Sequence, residues 1–246
     1  MDPITIALIA VLMMGAAALY TSVGHAGASA YLAIMALFAV APETMRPTAL
    51  TLNILVASFA TWRYWRAGQT NPRLTAAFVL GAIPAAFLAG RFQLPDEVYK
   101  PAIAVLLLIA AARFLWPRDP RAVETPVPPP LWVAVGVGAG IGVLSGLTGT
   151  GGGIFLSPII LWLGWEATRK TSGIAVGFIL CVSIAGLAGN LSSVGRLPAE
   201  LPWFLAAAAI GAVLGTRLGV SKLDPGRLRQ ALGVVLVIAS AKIVFT

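Results

Sequence analysis

Leu144-Ser145-Gly146-Leu147-Thr148-Gly149-Thr150-Gly151-Gly152-Gly153-Ile154-Phe155-Leu156-Ser157-Pro158 is the stretch that decides how this chain folds. It lies between two apolar runs, and from Gly149 to Gly153 every position but Thr150 is glycine, which a helix interior disfavours. Near the start of the chain, Gly24-His25-Ala26-Gly27 interrupts another apolar run in the same way. A helix broken inside a bilayer frees N–H and C=O groups that lipid cannot satisfy. Such a break persists only where it lines a cavity or holds a ligand. A duplicated break points to a transporter.

The membrane setting follows from composition. Of 246 residues, 59% are hydrophobic and only 11% charged, with a mean hydropathy of +0.90. A soluble domain carries about a quarter charged residues. The net charge of +8 resides in short loops and forms no basic stripe, so nucleic acid is not an expected partner. Cys181 is the only cysteine and His25 the only histidine, which excludes an intrachain disulfide and argues against a metal site or any cofactor. The start, Met1-Asp2-Pro3, lacks the basic region of a signal peptide and is read as leading into a first membrane helix.

Apolar segments run over residues 4–23, 26–41, 47–65, 74–90 and 98–116, and again over 131–147, 152–164, 171–191, 201–218 and 228–245. The expected organisation is a first transmembrane repeat at 1–116, a Pro-rich linker at 117–130 and a second repeat at 131–246. The fold class is an all-α integral membrane protein of two inverted repeats, each of about five helical segments. Most segments approach the roughly 20 residues that span a hydrocarbon core. The second of each half, Ala26 to Ala41 and Gly152 to Gly164, falls short and is either a half-helix or a steep, thin span. Pro84 marks an expected kink in the fourth segment. Trp62, Tyr64, Trp65, Trp116, Trp132, Trp162, Trp165 and Trp203 sit near segment ends and are expected as interfacial anchors.

The halves align over short stretches. Gly24 and Gly27 match Gly149 and Gly152; one residue out of that register, Tyr31 matches Phe155 and Arg46-Pro47-Thr48 matches Lys170-Thr171-Ser172. In a ten-crossing arrangement, twelve of the 17 Lys and Arg fall in loops on one side and five, Arg46, Arg91, Lys100, Arg196 and Lys242, on the other. The positive-inside rule makes the richer side cytoplasmic and both termini periplasmic. An odd number of crossings per half then inverts the second against the first. Re-entrant short segments would break this topology.

The Leu144–Pro158 stretch, its partner Gly24-His25-Ala26-Gly27-Ala28-Ser29-Ala30-Tyr31-Leu32, and the basic residue followed by Thr or Ser at two helix starts resemble the TauE/SafE family, presumed exporters of sulfite and small organosulfonates. The likeness extends over nearly the whole chain. It implies a multi-pass protein of a bacterial cytoplasmic (inner) membrane that handles a small anionic sulfur compound, with membrane lipid around it. A homodimer is compatible with this reading and not fixed by it.

The residues themselves converge on an anion site. Gly24, Gly27, Gly149, Gly151 and Gly152 let the backbone approach a ligand, and the N–H groups that open the following half-helices are donors at a positive dipole end. The other reading is that these glycines serve tight helix packing. His25, with an ordinary imidazole pKa of about 6.5, is suited to carrying a proton or donating to an anion; Thr150 takes the corresponding place in the second break, with Thr148 and Ser29 nearby. Arg46 and Lys170 are expected just before their helices, each followed two residues later by a hydroxyl, Thr48 or Ser172. A cation there opposes the dipole unless an anion lies between. On opposite faces of the membrane, the two would recruit substrate at each entrance. Asn53, in the third segment, has two N–H groups to offer an oxyanion or a neighbouring helix.

These features support a secondary transporter that moves a small sulfur oxyanion or sulfonate outward by alternating access. An anion channel built on the same half-helix ends is the alternative. The chain shows neither a Walker motif nor a Ser-His-Asp set nor paired acids, so neither an ATP-driven pump nor an enzyme is expected.

Overall fold

The computed structural model describes residues 2–115, 126–220, 237, 240 and 241. Most of the tenth segment, residues 117–125 of the linker, Trp116, and the loop charges Arg118, Arg121, Lys222, Arg227, Arg229 and Lys242 lie outside the described residues. Among the described residues there are nine α-helices and no strand: α1 Pro3–Ser22, α2 Ala28–Leu37, α3 Pro42–Arg66, α4 Pro72–Gly90, α5 Asp96–Leu115, α6 Leu131–Thr148, α7 Gly153–Trp162, α8 Thr168–Gly189 and α9 Leu201–Val220. A 3₁₀ turn, Leu191–Arg196, follows α8. The expected all-α membrane fold is observed. Four helices, α1, α4, α6 and α8, are long and apolar enough to cross a bilayer.

The two short segments are half-helices. At 10 residues each, α2 and α7 are about 15 Å long, half of a hydrocarbon core. Helix α3 starts at Pro42, five residues earlier than the apolar run suggested. Pro42 presets the first-turn φ and Glu43 suits the positive end, so the helix begins in the polar stretch. Pro47 and Pro84 lie inside their helices.

Two large apolar cores form beside a small cluster of Ala60, Tyr64 and Val176, and the sequence halves interleave to make them. One gathers buried residues of α1, α2, α3, α5 and α9, joined by Ile154 of α7 and Ile179 of α8; the other those of α4, α6, α7 and α8. Each half therefore lends its fourth helix to the other. The α4–α6 seam is built backbone to backbone, with Gly138, Gly142 and Gly146 lying on the carbonyls of Phe78, Ala82 and Ala86, and Gly81 on that of Val135. The α1–α9 seam repeats the device, Gly211 on the Met14 carbonyl and Gly215 on that of Ala18. Lipid gives helices no hydrophobic reason to associate, so close packing of small residues holds them.

Trp62, Trp65, Trp132, Trp162 and Trp203 are exposed, as anchors should be. Tyr64 is not one of them. It is buried, and its hydroxyl donates to the Thr21 carbonyl at 3.1 Å, tying the end of α3 to that of α1. Trp165 is half-buried and stacks on Phe78 with ring centroids 6.0 Å apart.

Candidate functional site

Both breaks are defined by left-handed glycines, and they are made differently. The Gly24 amide donates to the Thr21 carbonyl and the His25 amide to that of Tyr20, an ordinary Schellman end for α1 with Gly24 at φ 78°. Gly27, at φ 106°, then caps α2. The second break needs three such residues in four positions, Gly149, Gly151 and Gly152, at φ 81°, 74° and 74°. A β-carbon costs roughly 1–2 kcal/mol at each.

The chain reversal leaves amides unused. Residues 26–30 donate to no backbone acceptor, and neither do residues 150–154, which correspond to them in the register that pairs Tyr31 with Phe155. Hydrogen bonding resumes at Tyr31, which donates to Gly27, and at Phe155, which donates to Gly152. Each run ends at the positive end of a half-helix.

Each break lies against the opening of the other half's third helix. Gly24 sits on Ser172 of α8, whose hydroxyl reaches the Val23 carbonyl at 3.4 Å. Gly149 sits on Arg46 of α3. About two turns further along α3 and three along α8, Gly151 touches the Asn53 carboxamide and lies close to Ser183, and Asn53 Nδ2 donates to Ser183 Oγ at 3.4 Å. Gly152 packs on Ile141, Phe178 and Ser145.

His25 joins the two breaks. Its half-buried ring places Nδ1 3.2 Å from the Val23 carbonyl, and Nε2 3.2 Å from the Gly153 carbonyl and 3.3 Å from Ser157 Oγ. A neutral ring protonated on Nδ1 donates to Val23 and accepts from Ser157; a cationic ring donates to both carbonyls. Protonation thus changes which group of α7 the ring binds. Beside it, Ser29 and Tyr20 share a hydrogen bond of 2.7 Å, and Tyr31, packed under Gly27, donates to the Ala26 carbonyl at 2.7 Å. Thr148 and Thr150 pair through their hydroxyls at 3.1 Å.

The two cations do not flank an anion in front of their helices. Arg46 is in the second turn of α3 and Lys170 in the first turn of α8, because both helices start earlier than expected. Arg46 is buried, and its guanidinium donates to the Gly90 carbonyl at 2.6 Å and the Phe92 carbonyl at 2.9 Å, so its charge complements the negative end of α4. Its Nε has no partner. Lys170 is exposed. Thr48 is fully buried with an unpartnered hydroxyl. Around the breaks the structure therefore gathers Gly24, His25, Gly27, Ser29, Asn53, Thr148, Gly149, Thr150, Gly151, Gly152 and Ser172, with Arg46 behind Gly149.

Ser145, Ser157 and Ser183 also belong to this cluster and were not singled out in the sequence as site residues. Ser145 and Ser157 stand in the glycine-rich stretch itself; Ser183 comes from α8 and is brought in by the α3–α8 packing. No group of His, Cys, Asp and Glu able to hold a metal occurs among the described residues.

The sulfite exporter TauE/SafE family model matches residues 8–243. A probable membrane transporter protein, y4hK, of Sinorhizobium fredii (strain NBRC 101917 / NGR234) is 37% identical over 229 residues, covering 92% of this chain and 93% of that protein. No solved structure matches the chain.

Proposed function

The chain belongs to the TauE/SafE sulfite exporter family of membrane transporters, and from that premise we propose that it exports a small sulfur-containing anion by alternating access. Sulfite, thiosulfate and an organosulfonate such as sulfoacetate are the candidate cargoes. The carrying observation is the matched pair of free amide runs, 26–30 and 150–154, at two breaks held together by His25. Amide donors at half-helix ends suit a sulfonate or sulfite oxygen cluster. An anion leaving a cell with an inside-negative potential moves downhill by about 2.3 kcal/mol per charge per 100 mV, so export needs no coupling ion.

Packing supports the reading of inverted halves. Exchanging the halves turns the α4–α6 contact into the α9–α1 contact, and turns Gly149 on α3 into Gly24 on α8. Contacts between loops also sort by the charge-derived sides. Asn71 with Glu166, and Val127 with Gly164, join loops assigned to the cytoplasmic face; Arg46 with Gly90 and Phe92 joins loops assigned to the other. The cytoplasmic membrane as location, with periplasmic termini, is part of this proposal.

Thermal stabilisation of the purified protein by sulfite, thiosulfate, sulfate, sulfoacetate, taurine and phosphate, followed by counterflow in proteoliposomes, tests it. We expect selective stabilisation by a sulfur anion, weakened in His25→Ala and Thr150→Val, and saturable counterflow of that anion. Large, unsaturable conductance would replace the carrier by a channel. Stabilisation by none of the anions would return the glycines to a packing role.

A further inference from the structure

The second break holds two buried polar groups that the fold leaves unmatched. Asn53 and Ser145 have no exposed surface, and neither Asn53 Oδ1 nor Ser145 Oγ has a hydrogen-bond partner. Both lie against the glycines whose amides are unused: Asn53 meets Gly151 through Nδ2, with Oδ1 on the same carboxamide, and Ser145 stands beside Gly152. Buried polar groups are nearly always paired, and an unmatched one at a break points to a missing ligand. The two kinds of unmatched group differ in sense. Amide N–H groups require an acceptor. Asn53 Oδ1, with Nδ2 engaged by Ser183, requires a donor.

A ligand that satisfies both carries oxygen acceptors and a proton of its own. The Arg46 guanidinium, behind Gly149, is turned to the carbonyls that end α4 and so lends the subsite no direct hydrogen bond. Neutral dipoles in a low-dielectric interior hold one negative charge far more readily than two. We propose that Asn53, Ser145 and Ser183, with the amides of Gly151 to Gly153, form a subsite for a protonated monoanion: the amides take the charged oxygens, and Asn53 Oδ1 accepts the ligand's O–H. For sulfite this selects hydrogensulfite over the dianion; for an organosulfonate it selects one with a hydroxyl or ammonium donor. The proposal rests on reading the breaks as the substrate site. It makes Asn53 the residue that senses the substrate's protonation state.

Methanesulfonate has the same three-oxygen head and single charge but no proton to give, and so serves as the reference ligand. Affinities of purified protein for sulfite and for methanesulfonate, measured by calorimetry from about pH 6 to about pH 8, give a ratio that cancels the protein's own titration. That cancellation matters because titratable groups stand on the elements that form the breaks: Arg46 on α3, Tyr31 on α2, Tyr99 on α5, Cys181 on α8 and His25 in the first break. The expected ratio favours sulfite in acid and falls about tenfold per pH unit once sulfite loses its proton. In Ser145→Ala the preference in acid should shrink several-fold, and in Asn53→Leu it should vanish. At fixed pH, isethionate should bind about tenfold tighter than ethanesulfonate, which lacks only the hydroxyl. A flat or rising ratio would mean that the carboxamide presents its NH2 instead and would overturn the proposal, leaving the transport reading intact. Absence of binding by every anion at every pH would overturn the substrate site itself and this subsite with it.

Discussion

The two breaks share a backbone plan and differ in what their side chains leave undone. At the first, Tyr20 pairs with Ser29, Tyr31 satisfies the Ala26 carbonyl, and His25 spans Val23, Gly153 and Ser157. At the second, Thr148 and Thr150 satisfy each other, while Asn53 Oδ1, Ser145 Oγ and Arg46 Nε stay unmatched in the interior. Similar free amides thus sit in a finished polar network on one side and an unfinished one on the other. The finished break reads as framework. The unfinished one reads as the place where an anion completes the bonding.

The largest expected effect separates crowding from strain. Gly151→Ala combines a left-handed backbone with a β-carbon driven into the Asn53 carboxamide, and Gly24→Ala combines the same strain with a collision against the Ser172 backbone. Each should cost about 3 kcal/mol, a drop of about 10 °C in Tm, and abolish transport. Gly68→Ala is the control: its φ is 66°, yet its β-carbon meets open space, so about 1 kcal/mol is expected. The breaks should diverge on rescue. Adding Asn53→Ala to Gly151→Ala clears the collision and should recover most of the stability without transport, whereas no side-chain removal at Ser172 clears its backbone. Equal rescue at both sites would erase the distinction.

Arg46 gives the next effect. Its two charge-assisted bonds to carbonyls at the end of α4, at the low end of the range for charged groups, are worth about 3 kcal/mol together. Arg46→Met should therefore lower Tm substantially. Arg46→Lys should recover part of it, because an ammonium cannot span both carbonyls with the guanidinium fork. A residue serving mainly as a substrate ligand would behave otherwise, losing anion binding at unchanged Tm. That outcome would move Arg46 from behind the second break into its ligand shell.

How far the sequence foretold this follows from the range of each interaction. The first nine helices, the two breaks and their glycines are local properties, readable from apolar runs and from the φ that only glycine adopts freely. The half-helix lengths needed the structure, because Gly164 and residues 38–41 continue an apolar composition past the last helical residue of each. Hydropathy puts Arg46 outside its helix for the opposite reason: the first turn of α3 is polar, and the apolar run begins at Pro47. Ser183 and Ser145 were unremarkable because a serine in a membrane helix commonly bonds its own preceding turn. Their significance arises only when α3, α6 and α8 bring them to one glycine loop, a contact across more than a hundred positions for Asn53 and Ser183.

The smallest effect is also the sharpest on the contrast between the breaks. Tyr20→Phe removes half of a buried hydrogen bond and leaves Ser29 Oγ without that partner, so about 1 kcal/mol of stability should be lost. Ser145→Ala removes a buried hydroxyl that bonds to nothing, so the ligand-free protein should keep its Tm or gain slightly. The sign should reverse when sulfite is present. Stabilisation by a bound anion scales with its affinity, so Ser145→Ala should gain fewer degrees from the ligand than wild type, while Tyr20→Phe keeps the wild-type increment. A loss of stability in ligand-free Ser145→Ala would mean that its hydroxyl is already engaged in the empty protein, and the second break would then be as complete as the first.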